Sequence, residues 1–113
     1  YELYTKRLSG ISGLKLLPLR ENLKRNYAYF PVVFDGYKYT RDDVFAMIAE
    51  DNIIARKYFF PLTNSFECYQ EYPTAGSEKT PVAAYIADRV LTLPLYADLS
   101  AEEVDRICDI ILK

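Results

Sequence analysis

The chain has no histidine. That absence removes Ser-His-Asp and Cys-His catalysis, together with every metal site that needs an imidazole ligand. Cysteine is nearly as scarce: Cys68 and Cys108 are the only two. Their separation matches no metal-ligand spacing, and two thiols are too few for a disulfide framework, so the usage predicts a reduced, cytoplasmic protein. Of the glycines Gly10, Gly13, Gly36 and Gly76, none opens a helix after a strand in the spacing of a phosphate-binding loop. No apolar run approaches the roughly 18 residues of a membrane span, and the N-terminus lacks the basic, apolar and small-residue order of a signal peptide. The formal charge of −2 gives no general attraction to nucleic acid or to an anionic membrane. The basic cluster Arg20, Lys24 and Arg25 is diluted by Glu21 and reads as a solvated connection.

What is present fits one globular domain. A length of 113 residues with 50% hydrophobic and 27% charged side chains supports a single compact core. Tyr1, Tyr4 and Leu8 recur at helical spacing before Ser9-Gly10, and this uncapped start reads as the tail of a longer helix. Residues 14–17 predict a short extended piece and "YAYFPVVF" (27–34) a strand, with Pro31 either at an edge or at a bulge. Thr40 with Asp43 forms a capping-box pattern, and Val44, Met47 and Ile48 mark an amphipathic helix ending at Asp51-Asn52. A second strand is expected over 53–59, helical turns within 64–71, and a loop in "PTAGSEKT". Thr80-Pro81 predicts the cap and first position of a helix over "VAAYIADRV", and Leu91 to Leu93 a third short strand stopped by Pro94. Ser100, Glu103 and the pair Leu99 and Val104 give a capping box and staple for the last helix. Its stripe Val104, Ile107, Cys108 and Ile111 makes Cys108 a core residue. The order predicts an α+β fold, a small mostly antiparallel sheet with helices packed on one face.

Chemistry is sparse. Asp42, Asp43, Glu102 and Glu103 occupy first turns of helices, where capping and the dipole account for them. The 11 tyrosines suit half-buried strand faces as well as pocket walls. In "IIARKYFFPLTNSFECYQEY" (53–72), Arg56 sits in the middle of an apolar run. Such a charge needs a carboxylate, an anionic ligand or a wet cleft, and the residues alone leave a structural ion pair and an anionic ligand both open. Strand alternation points Arg56, Tyr58 and Phe60 to one face, and Lys57 and Phe59 to the other.

Asn52 followed by "ARKYFFPLT", an aromatic segment, and a helix leading into "ADRVLTLPLYADLSAEEVDRICDIIL" resembles the C-terminal part of the DegT, DnrJ and StrS sugar aminotransferases, which use pyridoxal phosphate (PLP). With "YAYFPVVF" and "TRDDVFAMIAEDNI" in the expected order, the resemblance covers the chain from about Tyr27 onward. It implies the small domain of a fold type I PLP aminotransferase, with residues 1–25 as the end of a linking helix and a connection, and 26–113 as the domain itself. The family's cofactor-anchoring lysine, the acidic partner of the pyridine nitrogen and most phosphate contacts belong to a large N-terminal domain. None of Lys6, Lys15, Lys24, Lys38, Lys57 or Lys79 stands in a matching context, so the resemblance implies no catalytic residue and no bound cofactor in this chain. Arg56, Tyr58, Pro61, Leu62 and Thr63 would shape the mouth of the cleft for the nucleotide sugar; Thr63 stands where many relatives carry a histidine. The intact homodimer would move an amino group from glutamate, through PLP, to a ketone of a nucleotide-linked deoxyhexose for polysaccharide synthesis. The alternative is a free-standing α+β module that binds a small ligand or a protein through its sheet face and tyrosines.

Overall fold

Period-two burial sets the orientation of the sheet. In β2 (Phe30–Phe34), Phe30, Val32 and Phe34 are buried while Pro31 and Val33 are half-buried. The structure, a computed structural model, describes residues 1–18 and 20–113. Strand β2 lies between β1 (Leu14–Leu16) and β3 (Val90–Leu93), antiparallel to both. Helices α1 (Glu2–Leu8), α2 (Arg41–Glu50) and α4 (Ala101–Leu112) cover the buried face, and α3 (Pro81–Ala87) leads into β3. The expected α+β architecture holds.

The core is built where apolar spacing and strand alternation agree. Tyr4 and Leu8 of α1, Val44 and Ile48 of α2, and Val104, Ile107, Cys108 and Ile111 of α4 meet Phe30, Val32, Leu91 and Leu93 in one cluster. Arg7 fastens α1 to α4 through Asp105 and, at 2.6 Å, Asp109. Both expected capping boxes form: the Asp43 amide donates to Thr40 Oγ1 at 3.2 Å, and the Glu103 amide to Ser100 Oγ at 3.2 Å. Helix α2 ends with Asn52 at φ 59° and the Ile53 amide donating to the Ile48 carbonyl at 3.1 Å, a closure that asparagine tolerates better than most residues.

Pro31 lies in the middle strand, and local geometry explains how. Thr92, its cross-strand partner, spends its amide and carbonyl on Arg56, at 2.8 and 3.0 Å. Pro31 and Thr92 therefore oppose each other as a pair without mutual hydrogen bonds, and the proline nitrogen faces the β1 side. The β1 pairing stops at Leu16 with Val32, so Pro31 is locally at an edge.

Two expectations are corrected. Residues 53–59 do not form a strand: Arg56 makes one bridge to Thr92, after which the Phe60 amide closes a turn onto the Lys57 carbonyl at 2.9 Å. Thr80 precedes α3 without a side-chain cap, because its Oγ1 accepts from Asn64 Nδ2 at 3.1 Å instead. The stretch between α2 and α3 otherwise holds three 3-10 turns, Thr63–Ser65, Glu67–Tyr69 and Ser77–Lys79. Asn64 closes the loop 64–76, its side-chain amide donating to the Gly76 carbonyl at 2.8 Å and its backbone carbonyl accepting from the Gly76 amide at 2.8 Å.

Candidate functional site

The Arg56 rung extends the sheet by one residue beyond β3 and brings two loops together. One carries Ile54, Arg56 and Tyr58, and the other continues β3 through Pro94 to Tyr96. With Ala28 and Tyr29 from the segment before β2, they enclose a groove of about 470 Å³. A neighbouring groove of about 520 Å³ shares Ile54, Pro94 and Tyr96 and runs toward α4. The first groove is the better candidate for a charged ligand. In the second, Arg106 is already committed to Asp51, at 2.8 Å to Oδ1 and 3.2 Å to the carbonyl, and Glu103 is occupied as a cap.

Arg56 is exposed and makes no ion pair among the described residues. Its Nη1 donates to the Tyr58 hydroxyl, and its guanidinium lies 5.5 Å from the Tyr58 ring centroid. Tyr58 meets Tyr29 edge to face at 5.6 Å. The groove thus holds a guanidinium with donors to spare, framed by aromatic walls that restrict its orientation. Having accepted from Arg56, the Tyr58 hydroxyl keeps its own proton for a ligand oxygen.

The five residues expected at the site do not all converge. Arg56 and Tyr58 line this groove together. Thr63 lines a separate, shallower hollow of about 330 Å³ with Asn64, Tyr69, Tyr72, Thr74 and Ala75. Pro61 is exposed and Leu62 half-buried, and neither lines those two cavities. Alternation holds for Arg56, Lys57 and Tyr58 and then fails at the turn. Phe59 stacks on Tyr58 at 4.9 Å, while Phe60 lies under the Arg41 guanidinium at 4.9 Å. Phe60 therefore leaves the face assigned to it by strand geometry.

Tyr29, Thr92 and Tyr96 escaped the sequence reading as groove residues. Tyr96 lies in "RVLTLPLY", close behind Pro94, but nothing in its spacing marks a wall. The assignment of Asp42 to capping is also corrected: Asp43 does the capping, and Asp42 Oδ1 sits 2.7 Å from Arg41 Nε and 2.5 Å from Lys57 Nζ. The hydrogen bond from Lys57 holds the Asp42 carboxyl below the usual range, with the Arg41 charge adding to it. Arg41 is the arginine that is buried. Its Nη1 donates to the Ala87 and Val90 carbonyls at 3.0 and 3.4 Å, whereas its Nε, though close to Asp42, is not aligned for a hydrogen bond.

An aldehyde cofactor such as PLP needs an amine in an enclosed pocket. Neither of these two grooves contains a lysine, and the lysine that lines a third, of about 450 Å³, is the exposed Lys24. Lys15 is paired with Asp35, Lys57 with Asp42, and Lys38 donates to the Leu112 carbonyl at 3.2 Å. Lys6, Lys24, Lys79 and Lys113 are exposed. The described residues do not fit that group by themselves. Among them there is also no cluster of metal-ligating side chains, and no helix is long and apolar enough to cross a membrane.

Comparison with known proteins gives consistent results. The family model of the DegT/DnrJ/EryC1/StrS aminotransferases matches residues 1–112. A dTDP-4-amino-4,6-dideoxy-D-glucose transaminase from Escherichia coli is 37% identical over 111 residues, 97% of this chain and 30% of that protein. One of the same name from Shigella dysenteriae is 30% identical over 105 residues, covering 92% and 28%. The chain thus spans under a third of the length of these relatives. Among solved structures, DesI crystallised with its TDP-sugar product superposes with a TM-score of 0.81 at 24% identity, over 97% of this chain and 28% of that one. A DegT DnrJ EryC1 StrS aminotransferase from Brucella abortus superposes with a TM-score of 0.78 at 21% identity, over 98% and 28%. At these identities the superpositions establish the fold.

Proposed function

Because the chain belongs to the DegT/DnrJ/EryC1/StrS aminotransferase family, we propose that residues 26–113 are the C-terminal small domain of a PLP-dependent sugar aminotransferase. Residues 1–25 are then the end of its linking helix and a connection. The complete protein, a cytoplasmic homodimer, exchanges a ketone oxygen of a nucleotide-linked deoxyhexose for an amino group, and glutamate leaves as 2-oxoglutarate. Its product serves polysaccharide synthesis. The names of the two curated relatives support a dTDP-linked 4-keto-6-deoxyhexose as the substrate class. The cofactor supplies the electron sink for that exchange and is held by the large domain, since the lysines of this chain are exposed or already paired.

The small domain contributes binding. The observation that carries this reading is the groove at Arg56, where a guanidinium without a carboxylate partner stands between Tyr29, Tyr58 and Tyr96. A planar fork of donors suits a diphosphate or a carboxylate, and the aromatic walls suit the flat faces of a sugar or base. Tyr58 adds one donor. Pro61, Leu62 and Thr63 lie outside this groove, Thr63 in its own hollow, and would meet the nucleotide sugar only at an outer part of the cleft.

Replacing Arg56 by Lys in the complete protein tests this, because it keeps the charge and loses the fork. A charge-assisted hydrogen bond contributes about 1.5 to 3 kcal/mol, so kcat/KM for the nucleotide sugar is expected to fall roughly ten- to hundredfold. The glutamate half-reaction changes little. An unchanged sugar half-reaction would remove Arg56 from the site.

A further inference from the structure

The segment 56–60 is held in the sheet by a single backbone rung, Arg56 with Thr92, yet its side chains point in defined directions. What fixes them lies on the face away from the groove. Lys57, between Arg56 and Tyr58, turns to α2: its ammonium is 2.5 Å from Asp42 Oδ1 and 4.4 Å from the centroid of the Phe45 ring. Phe60, at the far end of the turn, lies beneath Arg41. Arg41 is 3% exposed and bound to the carbonyls that close α3 and open β3, so it is a fixed point of the fold. Asp42 joins the two cations, one buried, the other carried by the groove segment.

We propose that Asp42, with Arg41 and Lys57, is a positioning device for the substrate groove: the first turn of α2 grips the back of residues 57–60 and thereby aims Arg56 and Tyr58 at the ligand. The inference rests on the reading of the Arg56 groove as a nucleotide-sugar site. Successive residues of an extended segment face opposite ways, so anchoring Lys57 on one side presents both its neighbours on the other. One rung alone leaves the segment free to twist about Thr92. The ammonium, held by a carboxylate and an aromatic face together, removes that freedom. Asp42 does not line the groove and reaches Arg56 and Tyr58 through Lys57.

The test uses the complete protein with a dTDP-linked 4-keto-6-deoxyhexose and glutamate, and compares Asp42→Asn, Asp42→Glu, Lys57→Gln and Arg56→Lys. Asp42→Asn is expected to raise KM for the nucleotide sugar roughly three- to tenfold, leaving kcat and KM for glutamate within about twofold. Asp42→Glu restores most of the loss, and Lys57→Gln reproduces it. The double variant Asp42→Asn with Lys57→Gln adds little to either single one, because both break the same link. Hydrogen exchange without substrate gives an independent readout: the Arg56 and Thr92 amides exchange faster in Asp42→Asn than in the parent. An effect of Arg56→Lys on nucleotide-sugar KM with none from Asp42→Asn overturns the positioning role and leaves the groove assignment standing. No effect from either variant overturns the groove assignment and this inference together. A lowered melting temperature with equal changes in KM for sugar and glutamate reduces Asp42 to a general stabiliser, which also overturns it.

Discussion

Cys108 lies on the buried stripe of α4 with no exposure to solvent, and burial pushes its thiol up to about 11. An unfolded thiol ionises near about 8.5, so with rising pH the unfolded chain loses this proton first. The stability tied to the neutral thiol is fully present below that value and is lost progressively as pH rises toward the folded value of about 11. Urea unfolding at about pH 7 and about pH 10 should show this fall, and a Cys108→Ala variant, less stable throughout, should show a smaller one. A thiol reagent should titrate exposed Cys68 quickly and Cys108 only on unfolding; two fast thiols would contradict the packing of α4. The burial of Cys108 was legible because helical spacing is local information. The two arginines illustrate the opposite case. Arg56 stands in an apolar run and looks buried, yet it is exposed; Arg41 opens a helix and looks solvated, yet it is buried. The carbonyls that hold Arg41 belong to Ala87 and Val90, 46 and 49 residues away. No periodicity encodes a contact at that distance.

Elements whose signals are short-range were readable. The boxes Thr40 with Asp43 and Ser100 with Glu103 form as the four-residue patterns require, because every partner lies within one helical turn. The two threonine and serine caps therefore differ in kind from Thr80, whose hydroxyl serves Asn64. Ser100→Ala removes a hydrogen bond from the start of α4 and should destabilise the fold by about 1 kcal/mol, whereas Thr80→Ala should cost α3 no cap and shift the melting temperature less. Equal shifts when Thr80→Ala is made in an Asn64→Ala background, where the bond from Asn64 is already gone, would mean that Thr80 caps α3 in solution. The segment 53–59 reads as a strand because its apolar run satisfies strand propensity, while its actual course depends on one rung to Thr92 and on Lys57 and Phe60 turning toward α2. Propensity reports what a segment tolerates, and partners further along the chain decide what it does. For the same reason Arg56 and Tyr58 were legible as neighbours on one face, but their separation from Thr63 was not: the turn at Lys57 to Phe60 breaks the alternation on which the grouping relied.

At the scale of the molecule, the chain covers about 30% of the Escherichia coli relative, and its own lysines are exposed or engaged. Large apolar side chains stand in solvent around the groove and the turn after it, Ile54 at 79%, Phe59 at 70% and Tyr96 at 57%. A division of labour accounts for both features. On the function proposed above, one domain of the complete protein would supply the amine and the phosphate cradle, and this one a wall of the cleft, with its aromatic rim available to the other domain. The 113-residue chain by itself should then neither hold PLP nor transaminate. Titration with PLP followed in the visible range is expected to show only the weak, unsaturable change that any exposed lysine gives, while the complete protein develops a saturable band. The same chain should also self-associate through its uncovered apolar surface, visible as a rise in scattering mass with concentration. Pairing the two measurements separates the possibilities. A saturable band that one lysine substitution abolishes would move the cofactor site into this chain, and a strictly monomeric chain at high concentration would count against a missing partner surface. Scattering mass that rises without any saturable band is the result that the division of labour requires.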